Sequence, residues 1–131
     1  MERKTILVVD DDEDLVRSLD IRLRRKGYEV YTATDGNQAV MQAQEHQPDL
    51  VISDIMMPAG SGFKVMDKLS MSTLTMGTPV IVLTAFDSEE TRVQAKALGA
   101  FRYLVKPFSF DVLLFAVSEA LGESQDIEPG S

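Results

Sequence analysis

Five short apolar runs, separated by segments with a helical repeat, constrain the fold of this chain more than any other feature. The runs are ILVV at 6–9, YEVYT at 28–32, LVIS at 50–53, VIVL at 80–83 and RYLV at 102–105. The first run, the LVI of 50–52 and the fourth run lack polar alternation, which is typical of strands covered on both faces of a parallel sheet. The sequence therefore predicts an α/β fold with a central parallel sheet.

The segments between the runs carry the apolar spacing of amphipathic helices. The repeating residues are Val16, Leu19 and Leu23 in the first, Ala39, Val40 and Ala43 in the second, and Phe63, Met66 and Leu69 in the third. The expected end signals are Ser61 as the cap of the third helix, Asp87 with Glu90 as a capping box and Gly99 as a stop for the fourth, and Ser109 and Gly122 for the fifth. Five alternations of strand and helix predict a doubly wound (β/α)5 domain with right-handed crossovers.

Length and tail composition set the expected domain limits. A chain of 131 residues fits one domain of ordinary size and leaves no room for a second one of any substance. The stretch from Gly122 onward is polar and rich in small residues. We therefore expect one domain over 1–122, followed by a flexible tail or linker over 123–131.

Charge and composition exclude several classes of function. The formal net charge of -8 argues against direct binding to nucleic acid or to an anionic membrane, since both require a basic face. The absence of cysteine and the presence of a single histidine, His46, exclude a disulfide framework, a thiolate metal site and a histidine cluster. The opening apolar run is short and broken at once by acids, so neither a signal peptide nor a membrane span is expected. A cytoplasmic location is the resulting expectation.

Carboxylates follow the first and third predicted strands. Asp10, Asp11 and Asp12 come directly after the first strand, and Asp54 comes directly after the third. Ligands of such folds bind beyond the carboxyl ends of the strands, where these side chains would gather. Asp12 could instead cap the first helix, and Asp54 could simply end its strand. Carboxylates around one crevice repel one another, however, and a hard cation with oxygen ligands relieves that repulsion, so magnesium is the favoured interpretation.

A hydroxyl and an ammonium group are expected at the same edge. Thr84 follows the fourth strand, and Lys106 with Pro107 follows the fifth. Each is a weak signal alone, since a threonine at a strand end and a lysine before proline are common. A carboxylate is ionised at neutral pH and needs no general base to accept a phosphoryl group. The set therefore predicts Asp54 as the nucleophile, Lys106 as a positive point charge and Thr84 as a hydrogen-bond donor.

The ordered set ILVVDDDED, LVISDIMMP, VIVLTA and YLVKPF resembles the receiver domain of bacterial two-component response regulators, over about residues 4–122. The resemblance implies a flavodoxin-like sheet with strand order 2-1-3-4-5 and a cis peptide between Lys106 and Pro107. It implies that Asp54 accepts a phosphoryl group from a sensor histidine kinase or a histidine phosphotransfer protein. The chain would then be a phosphorelay switch with only self-phosphorylation and self-dephosphorylation activity, not an enzyme that turns over a substrate.

The resemblance also implies a metal site. Asp11 would be a direct Mg2+ ligand, Asp10 a ligand through water, and Met56 would contribute its backbone carbonyl beside Asp54. The resemblance also allows Mn2+ in place of Mg2+ at such a site. By the same resemblance, Asp12 lies just beyond the metal-binding pair and stays available as a helix cap.

Switching and signal lifetime are further implications of the resemblance. Thr84 and Tyr103 match the switch pair, in which the hydroxyl moves toward the phosphoryl group and the ring turns inward. An output face over 87–121 would then contact a downstream effector domain or protein, with phosphorylation-dependent dimerisation as an option. Met56 and Phe86 match the two positions that flank the path of the hydrolytic water, and both are apolar here, so slow loss of the phosphoryl group is expected.

Two alternatives come from other classes of function. A haloacid-dehalogenase type of phosphatase also has a nucleophilic aspartate after its first strand, here Asp10 with Asp12 in a DxD pattern, but Asp14 stands where that family has Thr or Val. A receiver-like interaction module that works without phosphorylation would lack one of the key groups. All of them are present in this chain, which favours a working switch.

Overall fold

The computed structural model describes residues 3–56 and 62–123. Strands and helices alternate along the chain in the order β1 Thr5–Val9, α1 Glu13–Arg25, β2 Glu29–Ala33, α2 Gly36–His46, β3 Leu50–Asp54, α3 Gly62–Met71, β4 Val80–Thr84, α4 Glu89–Ala97, β5 Arg102–Val105 and α5 Phe110–Ala120. Each predicted strand is present within a residue or so of its apolar run. The predicted cap Ser61 lies outside the described residues.

The strands form one parallel sheet in the order β2-β1-β3-β4-β5. This confirms the doubly wound, flavodoxin-like architecture. The register pairs Val9 with Ser53, Asp54 with Leu83, and Thr84 with Val105. The carboxyl ends of β1, β3, β4 and β5 therefore lie side by side at one edge of the sheet.

Successive strand residues point to opposite faces of the sheet, so an apolar layer covers each face. On one face α1 and α5 cover the strands, with a core that includes Leu19, Leu23, Leu113, Val117, Ile6, Val8, Ile52 and Ile81. On the other face α2, α3 and α4 contribute a core that includes Ala39, Ala43, Val65, Leu69, Ala95, Leu7, Val9, Val51 and Val82. Each fully buried aliphatic side chain of this kind stabilises the fold by ~1.5–3 kcal/mol. The strand ends thus stand on a rigid scaffold.

Helix caps agree with the sequence at α1 and α5. The Asp12 carboxylate accepts hydrogen bonds from the backbone N–H groups of Asp14 and Leu15, at 3.1 and 3.2 Å, so its role as a cap is confirmed. Ser109 caps α5, and Gly122 beyond its end has a φ of 66°. This positive φ favours glycine and ends the helix at the predicted place.

The predicted capping box of α4 was wrong by one residue. The cap is Ser88 in place of Asp87, and its partner is Thr91 in place of Glu90. The Ser88 side chain accepts from the backbone N–H of Thr91 at 3.1 Å, while the Thr91 hydroxyl accepts from the N–H of Ser88 at 3.1 Å. The Asp87 carboxylate is instead engaged by the guanidinium of Arg92, at 2.6 and 2.5 Å.

The last described residue is tied to the body of the domain. The hydroxyl of Tyr28 donates to the carboxylate of Glu123 at 2.6 Å, and the Glu123 N–H donates to the carbonyl of Ser118 at 2.9 Å. Burial, together with the Glu123 carboxylate, raises the pKa of Tyr28 to about 12. The rest of the predicted tail, 124–131, lies outside the described residues. Within residues 3–56 and 62–123, no helix has the length and hydropathy needed to cross a membrane.

Candidate functional site

Three carboxylates meet at the carboxyl edge of the sheet, as the sequence predicts. Asp10 follows β1 and is fully buried, Asp54 is the last residue of β3 and is 4% exposed, and Asp11 is exposed. One oxygen from each carboxylate lies within 4.8 Å of the other two. We call these three residues the acidic cluster. Their positions follow from the neighbouring placement of β1 and β3 in the sheet.

Lys106 reaches this cluster from the end of β5. Its Nζ lies 2.6 Å from Oδ2 of Asp10 and 3.0 Å from Oδ2 of Asp54, so one ammonium group bridges two carboxylates. Its backbone N–H donates to the carbonyl of Thr84 at 2.8 Å, and the peptide to Pro107 is cis, as expected. Lys106 is therefore fixed to β4 through its backbone and to the cluster through its side chain.

Backbone N–H groups occupy the remaining oxygens of the two buried acids. Oδ1 of Asp10 accepts from the N–H of Asp12 at 2.9 Å, and Oδ1 of Asp54 accepts from the N–H of Met56 at 2.9 Å. Each carboxylate thus has a donor on both oxygens, which fixes its orientation. Fixed orientation matters for any reaction at these oxygens, because reacting atoms must be aligned before the barrier is crossed.

The electrostatics of the site reflect burial of like charges. Burial raises the pKa of Asp10 to about 6, against the hydrogen bonds from Lys106 and from the Asp12 amide, and the charge of Asp54 adds to the rise. Burial also acts to lower the pKa of Lys106, but its hydrogen bonds to Asp10 and Asp54 outweigh that effect and the pKa is raised. One ammonium group does not balance three carboxylates, so the site favours an added cation.

The predicted switch residues lie on neighbouring strands. Thr84, at the end of β4, is fully buried, and its hydroxyl donates to the carbonyl of Phe86 at 3.0 Å and accepts from the Phe86 N–H at 2.9 Å. Tyr103, in β5, is half-buried, and its hydroxyl lies 2.8 Å from Oγ1 of Thr91. In this structure the Thr84 hydroxyl is therefore engaged with the loop that leads into α4.

The rim of the site is apolar. Met56, beyond β3, is 51% exposed, and Phe86, beyond β4, is 66% exposed. A groove of about 430 Å³ opens next to the cluster and is lined by Asp12, Leu15, Ala85, Lys106, Pro107 and Phe108. Apolar residues thus make up most of the lining of this groove, together with Asp12 and Lys106.

Gly62 is a residue that the sequence reasoning missed. A Cβ atom at this position would lie 2.3 Å from the carbonyl oxygen of Asp54 and 2.7 Å from Cα of Ile55. The Gly62 N–H also donates to the carbonyl of Ile55 at 3.1 Å. Only glycine permits this approach of α3 to the end of β3. The available signal was a glycine at the start of a predicted helix. Glycine has a low helix propensity, so its presence there suggests that the position has no space for a side chain.

The parallel sheet and the acidic cluster at its edge are those of a known class of protein, which comparison with protein families identifies. Residues 6–118 match the model of the response regulator receiver domain, and the chain belongs to this family of two-component signalling domains. It is 40% identical to PhoP of Bacillus subtilis, the alkaline phosphatase synthesis transcriptional regulatory protein, over 98% of this chain and 52% of the relative. The chain therefore spans about half the length of that relative.

Solved structures agree with this family. The chemotaxis protein CheY4 of Vibrio cholerae has a TM-score of 0.87 at 36% identity, covering 92% of this chain and 100% of the other. A response regulator from Burkholderia pseudomallei, solved with a phosphorylated aspartic acid, calcium ion and citrate, has a TM-score of 0.80 at 31% identity, covering 89% of this chain and 68% of the other.

Proposed function

We propose that this chain is a phosphorelay switch in which Asp54 accepts a phosphoryl group and the output face over 87–121 changes in response. The observation that carries the proposal is the shared ammonium group of Lys106, which bridges Asp10 and the buried Asp54 at the end of β3. The donor would be a sensor histidine kinase or a histidine phosphotransfer protein. Receiver domains act in signalling, and in this one the phosphoryl group would be accepted by a carboxylate oxygen of Asp54.

The chemistry asked of Asp54 is simple. A carboxylate oxygen attacks the phosphorus, the new O–P bond forms, and the donor's P–N bond breaks, with the electron pair leaving on the imidazole nitrogen. Lys106 supplies positive charge near the transferred oxygens, and Thr84 can donate one hydrogen bond if its hydroxyl turns away from Phe86. Catalysis is then mostly positioning by the strand ends.

The donor set of the acidic cluster fits a hard divalent cation. The carboxylates of Asp10, Asp11 and Asp54 offer only oxygen ligands, which Mg2+ prefers. The family resemblance adds the backbone carbonyl of Met56 as a further oxygen ligand, and Mn2+ would substitute for Mg2+ at such a site. A bound Mg2+ would neutralise charge on the phosphoryl oxygens. The related Burkholderia pseudomallei regulator contains a calcium ion and a phosphorylated aspartic acid, which supports a cation here.

Switching would begin at Thr84. A phosphoryl group on Asp54 offers oxygens that accept stronger hydrogen bonds than the carbonyl of Phe86, since they are charged. The Thr84 hydroxyl would then leave Phe86, the loop into α4 would shift, and Tyr103 would turn inward. Such a two-state element, biased by one charge, is what a phosphorylation switch requires.

The partners and limits of the domain are proposed on the same basis. The output face over 87–121 would contact an effector domain or protein, and phosphorylation-dependent dimerisation through it is an option. The net charge of -8 argues that this domain itself does not bind nucleic acid or membrane. The folded domain would cover 1–122, with 123–131 as a linker, in a cytoplasmic protein.

The haloacid-dehalogenase alternative has less support. It needs Asp10 as the nucleophile and Asp12 as its acid partner. Asp12 instead caps α1, where its carboxylate accepts from the backbone N–H groups of Asp14 and Leu15. The family match also favours a receiver domain over a phosphatase.

Phosphoryl labelling tests the proposal. Wild type, Asp54→Asn and the control Asp67→Asn, which changes an exposed acid on α3, are treated with a small phosphodonor with and without Mg2+. Intact-protein mass spectrometry should show a label on wild type and the control only when Mg2+ or Mn2+ is present, and none on Asp54→Asn. Equal labelling of Asp54→Asn and wild type would contradict the assignment, and a label on Asp10 together with turnover of small phosphate esters would point to the phosphatase alternative.

A further inference from the structure

A series of polar contacts connects the two proposed switch residues through Thr91. The carbonyl of Phe86 accepts from the Thr84 hydroxyl at 3.0 Å and lies 3.4 Å from Oγ1 of Thr91. The same Oγ1 lies 2.8 Å from the hydroxyl of Tyr103. Thr91 therefore stands between the loop held by Thr84 and the ring that is expected to move.

The loop and Thr91 are held by the same group of contacts. The N–H of Phe86 donates to Thr84 at 2.9 Å, and the N–H of Ser88 donates to Thr91 at 3.1 Å. The Thr91 hydroxyl also donates to the carbonyl of Ser88 at 2.9 Å. A shift of the loop between Thr84 and Ser88 would therefore disturb the contacts of the oxygen to which Tyr103 is bonded.

We propose that Thr91 is a positioning residue that latches the resting state by holding Tyr103 outward. The inference rests on the proposed function, because it takes Thr84 and Tyr103 as the switch pair. The Tyr103 hydroxyl is anchored on α4, so an inward turn of the ring breaks its 2.8 Å contact with Thr91. Breaking that contact adds to the free energy that phosphorylation must supply. The strength of the contact therefore sets what fraction of the unphosphorylated protein is in the active state.

Arg92 contacts the face of the Tyr103 ring. Its guanidinium lies 5.7 Å from the ring centroid of Tyr103 and is held by Asp87 at 2.6 and 2.5 Å. A cation over an aromatic face is attracted to it, which opposes rotation of the ring. Thr91 holds the hydroxyl and Arg92 the face, so removing the Thr91 hydroxyl weakens the latch without abolishing it.

The competing explanation is that Thr91 only caps α4. Three variants separate the two roles. Thr91→Val keeps the shape and removes the hydroxyl, Thr91→Ser keeps the hydroxyl, and Ser88→Ala weakens the cap while leaving the contact between Thr91 and Tyr103. A fourth, Tyr103→Phe, removes the other half of the contact and leaves the capping box intact, so the test stays decisive if Thr91→Val disturbs α4.

The experiment is a titration with beryllofluoride, a mimic of the phosphoryl group, in the presence of Mg2+. Tyr103 is followed by the 19F signal of fluorotyrosine. The chain contains 3 tyrosines, so the signals can be assigned. Loss of one net hydrogen bond from the resting state should tighten apparent binding about two- to tenfold in Thr91→Val. The Tyr103 signal of unliganded Thr91→Val should move toward its beryllofluoride-bound position. Thr91→Ser should behave as wild type, and Tyr103→Phe should give no further gain in the Thr91→Val background.

The outcomes separate the two levels of the proposal. Unchanged affinity in Thr91→Val, or an equal gain in Ser88→Ala, would overturn the latch while leaving the phosphorylation switch in place. An additive gain from Tyr103→Phe would also overturn it. A wild-type protein that does not bind beryllofluoride at all would overturn the proposed function, and the latch with it.

Discussion

Replacing Asp10 with asparagine should make the metal-free protein more stable. The carboxyl group is fully buried next to Asp54, and burial raises its pKa from 3.8 to about 6. A folded-state pKa above the unfolded value means that the folded state binds the proton more tightly. The stability linked to that proton is present below pH about 4 and is lost as the pH rises through about 6. At neutral pH the ionised Asp10 therefore costs free energy.

The magnitude follows from the difference between the two pKa values. About two pKa units correspond to ~3 kcal/mol in the free energy of unfolding at neutral pH. An asparagine is uncharged but offers a single acceptor oxygen, whereas Asp10 accepts from both Lys106 and the Asp12 amide. The amide NH2 group would face the second donor, so one hydrogen bond is lost and offsets part of the gain, and we expect a net stabilisation of about 1–3 kcal/mol.

Urea unfolding in a chelating buffer measures the effect. At about pH 7.5 Asp10→Asn should be more stable than wild type, and near pH 4 to 5 the difference should shrink as the wild-type carboxyl takes up its proton. The exposed control Asp67→Asn should change stability by less than about 0.5 kcal/mol. Saturating Mg2+ should stabilise wild type more than Asp10→Asn, because binding to the folded state alone adds stability by mass action. A variant less stable than wild type at about pH 7.5 without metal would refute this reasoning.

Two further predictions concern the neighbours of Asp54. Gly62→Ala should destabilise the fold by about 1–3 kcal/mol and slow labelling of Asp54, because its Cβ would overlap the Asp54 carbonyl, while Gly77→Ala, with open space around it, should do neither. Urea unfolding and the initial labelling rate test this, and a Gly62→Ala protein as stable as wild type would contradict it. Met56→Asn combined with Phe86→Glu should shorten the lifetime of the phosphorylated state, because polar side chains can orient a water that the apolar pair excludes. If the double variant loses its phosphoryl group no faster than wild type, the exposed side chains leave the path open and do not guard the bond.

The sheet could be predicted from the sequence because its central strands are buried on both faces. The run at 6–9, the LVI of 50–52 and the run at 80–83 are apolar without alternation, and few structures other than parallel strands need that pattern at that length. The start of α4 could not be fixed in the same way. Asp87 with Glu90 and Ser88 with Thr91 have the same spacing, and only the structure shows that Asp87 is engaged by Arg92 while Ser88 forms the cap.

The site was predictable in its members but not in its contacts. Residues at strand ends must gather at one edge, so Asp10, Asp54 and Lys106 could be grouped from the alternation of strands and helices. The bridge from Lys106 to Asp10 joins residues 96 positions apart and depends on the register of four strands. Contacts of that kind, like the approach of Gly62 to the Asp54 carbonyl, are set by tertiary packing and leave little trace in local sequence.

The central claim is that chemistry at Asp54 changes a surface elsewhere in the domain. The most direct measurement is a map of backbone amide chemical shifts before and after adding beryllofluoride with Mg2+, with Asp54→Asn as the control. The account predicts large shifts at Thr84, at Tyr103 and across the output face over 87–121, and none in the control. Shifts confined to residues 10–54, with 87–121 unmoved, would contradict it.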